Sequence, residues 1–280
     1  MAPRIESEVS ESVWRAIEQR SMQTGESQSQ VVDSLLSQAF GLERHSIYQV
    51  STSNALVQGV FGGTTTVGDL RGRGDFGLGT FSGLDGEMIM IDGACFRATA
   101  GGAVTAADDE QQIPFALVTR FHADAKENME GEMTLENSRG DARFVASLGE
   151  SFCRTTGRRC LRKLSMRAAC KAHPGEGLVA ATRHQSEFEV AGVEGTLVGF
   201  WAPDYVRTVS ISGYHFHFIS DHRTLGGHVL GLVGRDLHVQ LHTESDLHLA
   251  LPETAEFLSA DLGGDHAAEV NEAETRRQSS

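Results

Sequence analysis

Hydrophobic and polar positions change rhythm near residue 45. Before it, apolar residues recur at helical spacing: Val13, Trp14, Ile17 and Met22 in one stretch, then Val31, Val32, Leu35, Leu36 and Phe40 in the next. Residues three and four apart share one face of a helix, so each stretch predicts an amphipathic helix. Ser10 or Ser12 supplies an N-cap for the first, and Ser27 or Ser29 for the second. Thr24-Gly25 separates the two, and Gly41 ends the second. A polar–apolar alternation, Arg4-Ile5-Glu6-Ser7-Glu8-Val9, predicts a strand ahead of both.

From Ile47 onward, short β-type runs are punctuated by glycine. Strands are predicted at 87–91, 95–98, 114–121, 195–201, 213–220, 228–233 and 237–242, and helices at 53–61, 67–71, 178–185 and 253–258. The expected fold class is α+β: a sheet-dominated, mixed or antiparallel body (residues 45–280) preceded by a small N-terminal strand-helix-helix module (residues 1–44). The module resembles a ribbon-helix-helix unit. A unit that small buries too little surface to stand alone, which points to dimerisation. An amphipathic helix pair docked on the body is the alternative. The stretch from Gly263 is polar and charged, and its end is expected to fray.

Composition narrows the partners. A net charge of −14 disfavours nucleic acid and anionic membrane alike, since both need basic surface. Within the module, Arg4, Arg15, Arg20 and Arg44 are outnumbered by Glu6, Glu8, Glu11, Glu18, Glu26, Asp33 and Glu43, so DNA is not the expected partner. The opening MAPRIESEVSESV lacks the apolar core of a secretory signal, and no stretch reaches the roughly 18 apolar residues of a membrane helix. Cys95, Cys153, Cys160 and Cys170 show no metal-finger spacing. The expectation is a cytoplasmic protein with reduced thiols and no membrane partner, assembled as a homodimer or larger homo-oligomer.

The chemistry concentrates in Gly213-Tyr214-His215-Phe216-His217-Phe218, followed by Asp221-His222-Arg223-Thr224-Leu225-Gly226-Gly227-His228. Side chains alternate along a strand, so His215 and His217 share one face and Phe216 and Phe218 the other. A turn near His222 or Arg223 brings His228 opposite His217 on a hairpin that would carry a metal. Three neutral imidazoles suit zinc, and three protein ligands leave a position open for substrate.

Several runs in order resemble the alpha-acetolactate decarboxylase family: Thr66-Val67-Gly68-Asp69-Leu70, Gly74-Asp75-Phe76-Gly77-Leu78-Gly79-Thr80-Phe81, Leu84-Asp85-Gly86-Glu87-Met88-Ile89, Gly195-Thr196-Leu197-Val198-Gly199-Phe200, and the histidine segment. The resemblance covers about residues 47–275. It implies zinc on His215, His217 and His228, with Glu87 and Glu274 beside the metal and Thr80 and Leu84 against the substrate. The implied reaction takes 2-acetolactate to acetoin and carbon dioxide, with the zinc as Lewis acid for an enediolate and Glu87 as proton donor. Two other readings stand beside it. One is a cupin-like metal oxygenase, in which an HxH pair also binds a divalent ion. The other is a transcription factor with the body as a sensor.

The resemblance breaks between about Asn137 and Leu161, where the chain reads SRGDARFVASLGESFCRTTGRRC. The family carries an Arg-x-Asp-Gly motif there, its arginine expected on the substrate carboxylate, and this chain has none. Arg154 and Arg158 are the nearest substitutes. Phe152–Leu161 can be written in codons whose shifted reading restores such a motif, and a local frameshift would account for the match resuming at Arg162-Lys163-Leu164. It would leave an irregular segment where a helix and strand belong. Natural divergence, with Arg154 or Arg158 taking over, is the alternative.

Overall fold

In a computed structural model, residues 6–24, 27–39, 46–135, 151–173 and 175–274 are described, residues 151–160 by their backbone. The chain divides into two compact units, Met1–Arg44 and His45–Ser280. Among the described residues, no helix is long and apolar enough to cross a membrane.

The first unit pairs α1 (Glu11–Thr24) with α2 (Gln28–Ala39). Ser10 caps α1, its Oγ accepting from the Val13 amide at 3.4 Å. Ile17 and Val31 are buried, while Val13, Trp14, Met22, Val32, Leu35 and Leu36 are exposed. The predicted strand is not formed: residues 6–10 have no regular structure, and Arg4 and Ile5 lie outside the described residues, as do Gly25, Phe40 and Gly41. A strand exists only where its backbone finds a ladder partner, and the described part of this unit offers none. The described order is helix–helix, not strand–helix–helix.

The body consists of two seven-stranded sheets and a two-stranded ribbon. The first sheet runs β16 (Asp246–Ala250), β1 (Ser46–Val50), β8 (Phe115–Thr119), β3 (Phe76–Thr80), β4 (Glu87–Ile91), β5 (Ala94–Ala98) and β6 (Val104–Ala106). Its β1–β16 pair is parallel, and its other pairs are antiparallel. The second runs β10 (Ser151–Leu161), β13 (Val193–Ala202), β14 (Gly213–Ser220), β15 (Gly226–Thr243), β11 (Lys163–Ala168) and β12 (Ser186–Val190). In it β9 (Ala125–Thr134) pairs with β15, and β10 pairs with β15 as well as β13, closing a ring of strands. The ribbon joins β2 (Thr65–Thr66) to β7 (Gln112–Ile113). Helices α3 (Ser53–Val57), α4 (Val67–Arg71), α5 (Leu178–Arg183), α6 (Ala255–Ser259) and α7 (Ala267–Glu274) complete the body.

Two expectations are corrected. The strands predicted at 228–233 and 237–242 are one strand, β15; the register slips between Arg235 and Leu237, where Asp236 has a φ of 53°. A bulge bends a strand without ending it, so the polar residues there mimic a turn in the sequence. The stretch from Gly263 forms α7, anchored by buried Val270 and Ala273; its end, residues 275–280, lies outside the described residues. The backbone of residues 151–161 is not irregular throughout: β10 pairs in register from Phe152 to Gly157 and slips only between Gly157 and Leu161. Residues 136–150 lie outside the described residues.

The strand alternation accounts for the layers. Ile89 and Ile91 of β4 join Leu78, Phe115 and Leu117 in a core shared with Val198, Phe200 and Ile219 of the second sheet. Met88 and Met90 face the opposite way, with Val67 and Leu70 of α4. In the second sheet, Phe216 and Phe218 join Leu164, Met166, Leu197, Val239 and Leu241 in a core of their own. Strand β14 is therefore buried on both faces. Gly199 makes its pairing with β13 possible, since a Cβ there would sit 1.9 Å from the Phe216 ring.

Candidate metal centre

His215 and His217 project from β14 toward the first sheet, on the face opposite Phe216 and Phe218. The β14–β15 ladder sets His217 directly opposite His228, as the hairpin spacing predicts. The three rings lie 5.0, 5.1 and 5.5 Å apart by centroid, and one ligand nitrogen from each falls within 4.8 Å of the others. All three are buried. Burial disfavours the imidazolium, holding His215 and His217 down at about 3 and His228 well below its ordinary value. They are neutral imidazoles at physiological pH, the form that offers a lone pair to a cation.

The first sheet orients one of them. His217 Nδ1 donates to the Met88 carbonyl at 2.9 Å, which leaves Nε2 with its lone pair facing the cluster. The adjacent residue, Glu87, places Oε2 3.4 Å from that Nε2. Glu87 opens β4 after a tight turn in which Leu84 has a φ of 55° and Gly86 a φ of 121°, and Arg97 pins that turn to Asp85 at 2.5 Å. A Cβ at Gly86 would meet Arg97 Cγ at 2.7 Å, so the turn requires glycine on two counts.

Glu274 arrives from the other side, at the end of α7. Its Oε2 is 3.5 Å from Nε2 of both His215 and His228, and its carbonyl oxygen is 3.4 Å from His228 Nε2. Burial pushes Glu274 up to about 7, against the pull of Arg167. Burial and then the Glu274 charge push Glu87 up to about 8, again opposed by Arg167. Arg167 itself is buried and donates to the Ala273 carbonyl at the C-terminal turn of α7, where the helix dipole favours a cation.

Thr80 and Leu84 line this cleft with Glu87, Glu274, the three histidines and Arg167. Leu178 and Thr182 of α5, with Gln185 just beyond it, form a further wall. Thr80 is turned partly away, its hydroxyl donating to the Gly86 carbonyl at 3.0 Å. Arg154 sits on β10 opposite Val198, which in turn pairs with His217; Arg158 falls where the β10 register slips. Arg167 is the cleft residue that pattern reading missed. The available signal was a lone charge in the strand-like run Leu164-Ser165-Met166-Arg167-Ala168-Ala169.

Some of the candidate chemistry lies elsewhere. His238 pairs with Asn128 on the exposed side of β15, and His248 stacks on Tyr48 at 5.1 Å. His242 contacts Glu244 at 3.2 Å and Asp124 at 3.4 Å. Cys95 and Cys170 are free thiols, and burial pushes Cys95 up to about 12.

Two packed sheets enclosing a buried cluster of histidines, carboxylates and an arginine define an α+β enzyme with a candidate metal centre. The family profile described as alpha-acetolactate decarboxylase matches residues 47–264. The alpha-acetolactate decarboxylase of Methylococcus capsulatus is 37% identical over 235 residues, covering 84% of this chain and 90% of the relative. That of Bacillus subtilis strain 168 is 34% identical over 230 residues, covering 81% and 90%. A crystal structure of the B. subtilis strain 168 protein superposes with a TM-score of 0.78 at 32% identity, covering 82% of this chain and all of the other. The chain belongs to the alpha-acetolactate decarboxylase family, and is by class a carboxy-lyase.

Proposed function

We infer that this cleft converts 2-acetolactate to acetoin and carbon dioxide, with a zinc ion held by His215, His217 and His228. The observation that carries the metal is the convergence of three buried, neutral imidazoles on one point, in a body that belongs to this family. The donor set fits. Glu274 Oε2, 3.5 Å from Nε2 of both His215 and His228, is buried without a hydrogen-bond partner, a position a cation would satisfy, and imidazole is a preferred zinc ligand. A bound divalent ion supplies a Lewis acid for the negative charge left on the substrate oxygens as carbon dioxide departs.

The remaining roles belong to side chains. Arg167 supplies a fixed positive charge on the cleft wall, suited to the substrate carboxylate before its loss. Arg154 and Arg158, on β10, are the alternative holders of that carboxylate. Loss of carbon dioxide leaves an enediolate whose carbon must take up one proton. Glu87 is suited to give it, because its carboxyl lies on the cleft wall, buried, with Oε2 3.4 Å from His217 Nε2. Donation from one fixed wall sets the handedness of acetoin. Leu84, Leu178 and Ile211 keep water from the site, and Thr80 fills the floor beside Glu87.

The deciding assay incubates the purified chain, supplemented with zinc, with 2-acetolactate and measures acetoin and carbon dioxide. Equal amounts of both, formed above the uncatalysed background, are expected. A background rate with zinc bound would overturn the reading. Oxygen uptake during turnover would favour an oxygenase instead.

A further inference from the structure

His173, Glu176 and His184 form a second cluster outside the cleft. The geometry points to a second divalent transition-metal site on these three residues, one that staples the ends of helix α5. His173 Nδ1 lies 3.2 Å from Glu176 Oε2, and His184 Nε2 lies 3.3 Å from Glu176 Oε1. One ligand atom from each residue falls within 4.8 Å of the others. In a tetrahedral zinc site, bonds of roughly 2.0–2.2 Å to nitrogen and oxygen separate neighbouring ligand atoms by roughly 3.3 Å. Each ring stands at about that separation from one Glu176 oxygen, His173 from Oε2 and His184 from Oε1.

The arrangement is partly preorganised. Glu176 Oε2 accepts from the His173 backbone amide at 2.9 Å, which fixes the carboxylate between the rings. The rings stand edge to face at 5.6 Å and 90°, so they approach the carboxylate from different directions. Both imidazoles are open to solvent, with side-chain exposures of 70% and 57%, and a free ion can reach them. Two imidazoles and one carboxylate suit zinc, nickel or cobalt and leave coordination positions for water. Calcium and magnesium prefer all-oxygen shells.

The position gives the site a consequence. His173 precedes α5 and His184 caps its C-terminus, its amide donating to the Ala181 carbonyl at 3.2 Å. An ion on both closes the segment around a helix that contributes Leu178 and Thr182 to the cleft wall. The site is independent of what the cleft itself binds.

The test is calorimetric titration of zinc chloride into the full-length chain as purified, set against a His173→Ala/His184→Ala variant. One additional equivalent is expected in the parent relative to the variant, whatever the metal content of the His215 cluster. Glu176→Gln should weaken that equivalent at least tenfold, and added zinc should raise the unfolding midpoint of the parent more than that of the double variant. Equal stoichiometry in parent and double variant, with or without binding elsewhere, overturns the site. Folding of the double variant is checked by its far-ultraviolet dichroism and its unfolding midpoint without added metal.

Discussion

Arg167 on β11 stands directly across from His228 on β15, and His228 stands directly across from His217 on β14. One cross-strand row therefore delivers an arginine and two imidazoles to the same face of the second sheet. Glu87 and Glu274 close on that face from other elements. The cluster combines three imidazoles that could hold a metal ion, two carboxylates raised by burial, and one cation that opposes the rise.

For the metal, purified protein should contain about one zinc per chain at the cluster, lost in a His217→Ala/His228→Ala variant. Metal analysis after dialysis provides the check, compared against His173→Ala/His184→Ala so that the outer cluster is counted separately. Retention of stoichiometric zinc in a protein lacking all four of these histidines would sink the assignment.

Glu87→Gln keeps size and hydrogen bonding but removes the proton. Zinc content should be unchanged while acetoin formation slows by about 10²-fold or more, the usual contribution of a positioned acid. Near-parental turnover would return Glu87 to a structural role beside His217.

Arg167, Arg154 and Arg158 compete for the substrate carboxylate. Arg167→Lys should lower kcat/KM by about 10²-fold, because lysine loses the planar fork, while Arg154→Lys and Arg158→Lys should stay close to the parent. The reverse ranking would move the role to β10. Resequencing the gene belongs with this comparison: a confirmed frame with full activity rules out a shifted reading of residues 152–161, and a corrected frame replaces Arg154 and Arg158 altogether.

His242 makes stability depend on pH. Burial opposes its charge, but the hydrogen bond to Glu244 and the charges of Glu244 and Asp124 outweigh burial and raise its pKa. The folded value lies above the unfolded one, so the stabilisation is fully present below about 6.5 and is lost as pH rises through the folded value. Unfolding midpoints measured from pH 6 to pH 8 should fall more steeply for the parent than for His242→Gln. Parallel curves would show that His242 does not change charge on folding.

Residues 1–44 present Val13, Trp14, Met22, Val32, Leu35 and Leu36 to solvent in a unit too small to bury a core of its own. We propose that a second copy of the unit covers this face. Deleting residues 1–44 should leave a folded, active body of smaller assembly size by light scattering. DNA mobility shifts should be absent in both forms, given the acidic charge. Salt-sensitive, sequence-selective DNA binding by the intact chain would instead support a regulator.

Much of the body was legible along the chain because its signals are local. Period-two alternation located β4 and β14 to the residue, and Thr66 with Asp69 forms the capping box that opens α4. Other elements left no such mark. Strand β16 (DLHLA) and strand β9 (AKENMEGEMT) carry mostly polar or exposed residues, and they become strands because β1 and β15 offer them a ladder.

The sequence by itself determined the histidine triad, because three imidazoles on a two-stranded hairpin are a matter of alternation and turn length. It also determined the family, through motifs that keep their order. Only the tertiary structure decided that the triad faces a second sheet and not solvent, which is what holds the imidazoles far below their ordinary value. It also brought Arg167 and Glu274 beside the histidines, through a neighbouring strand and a docked helix. Burial and pairing between segments distant in sequence arise from packing, and no local pattern encodes them.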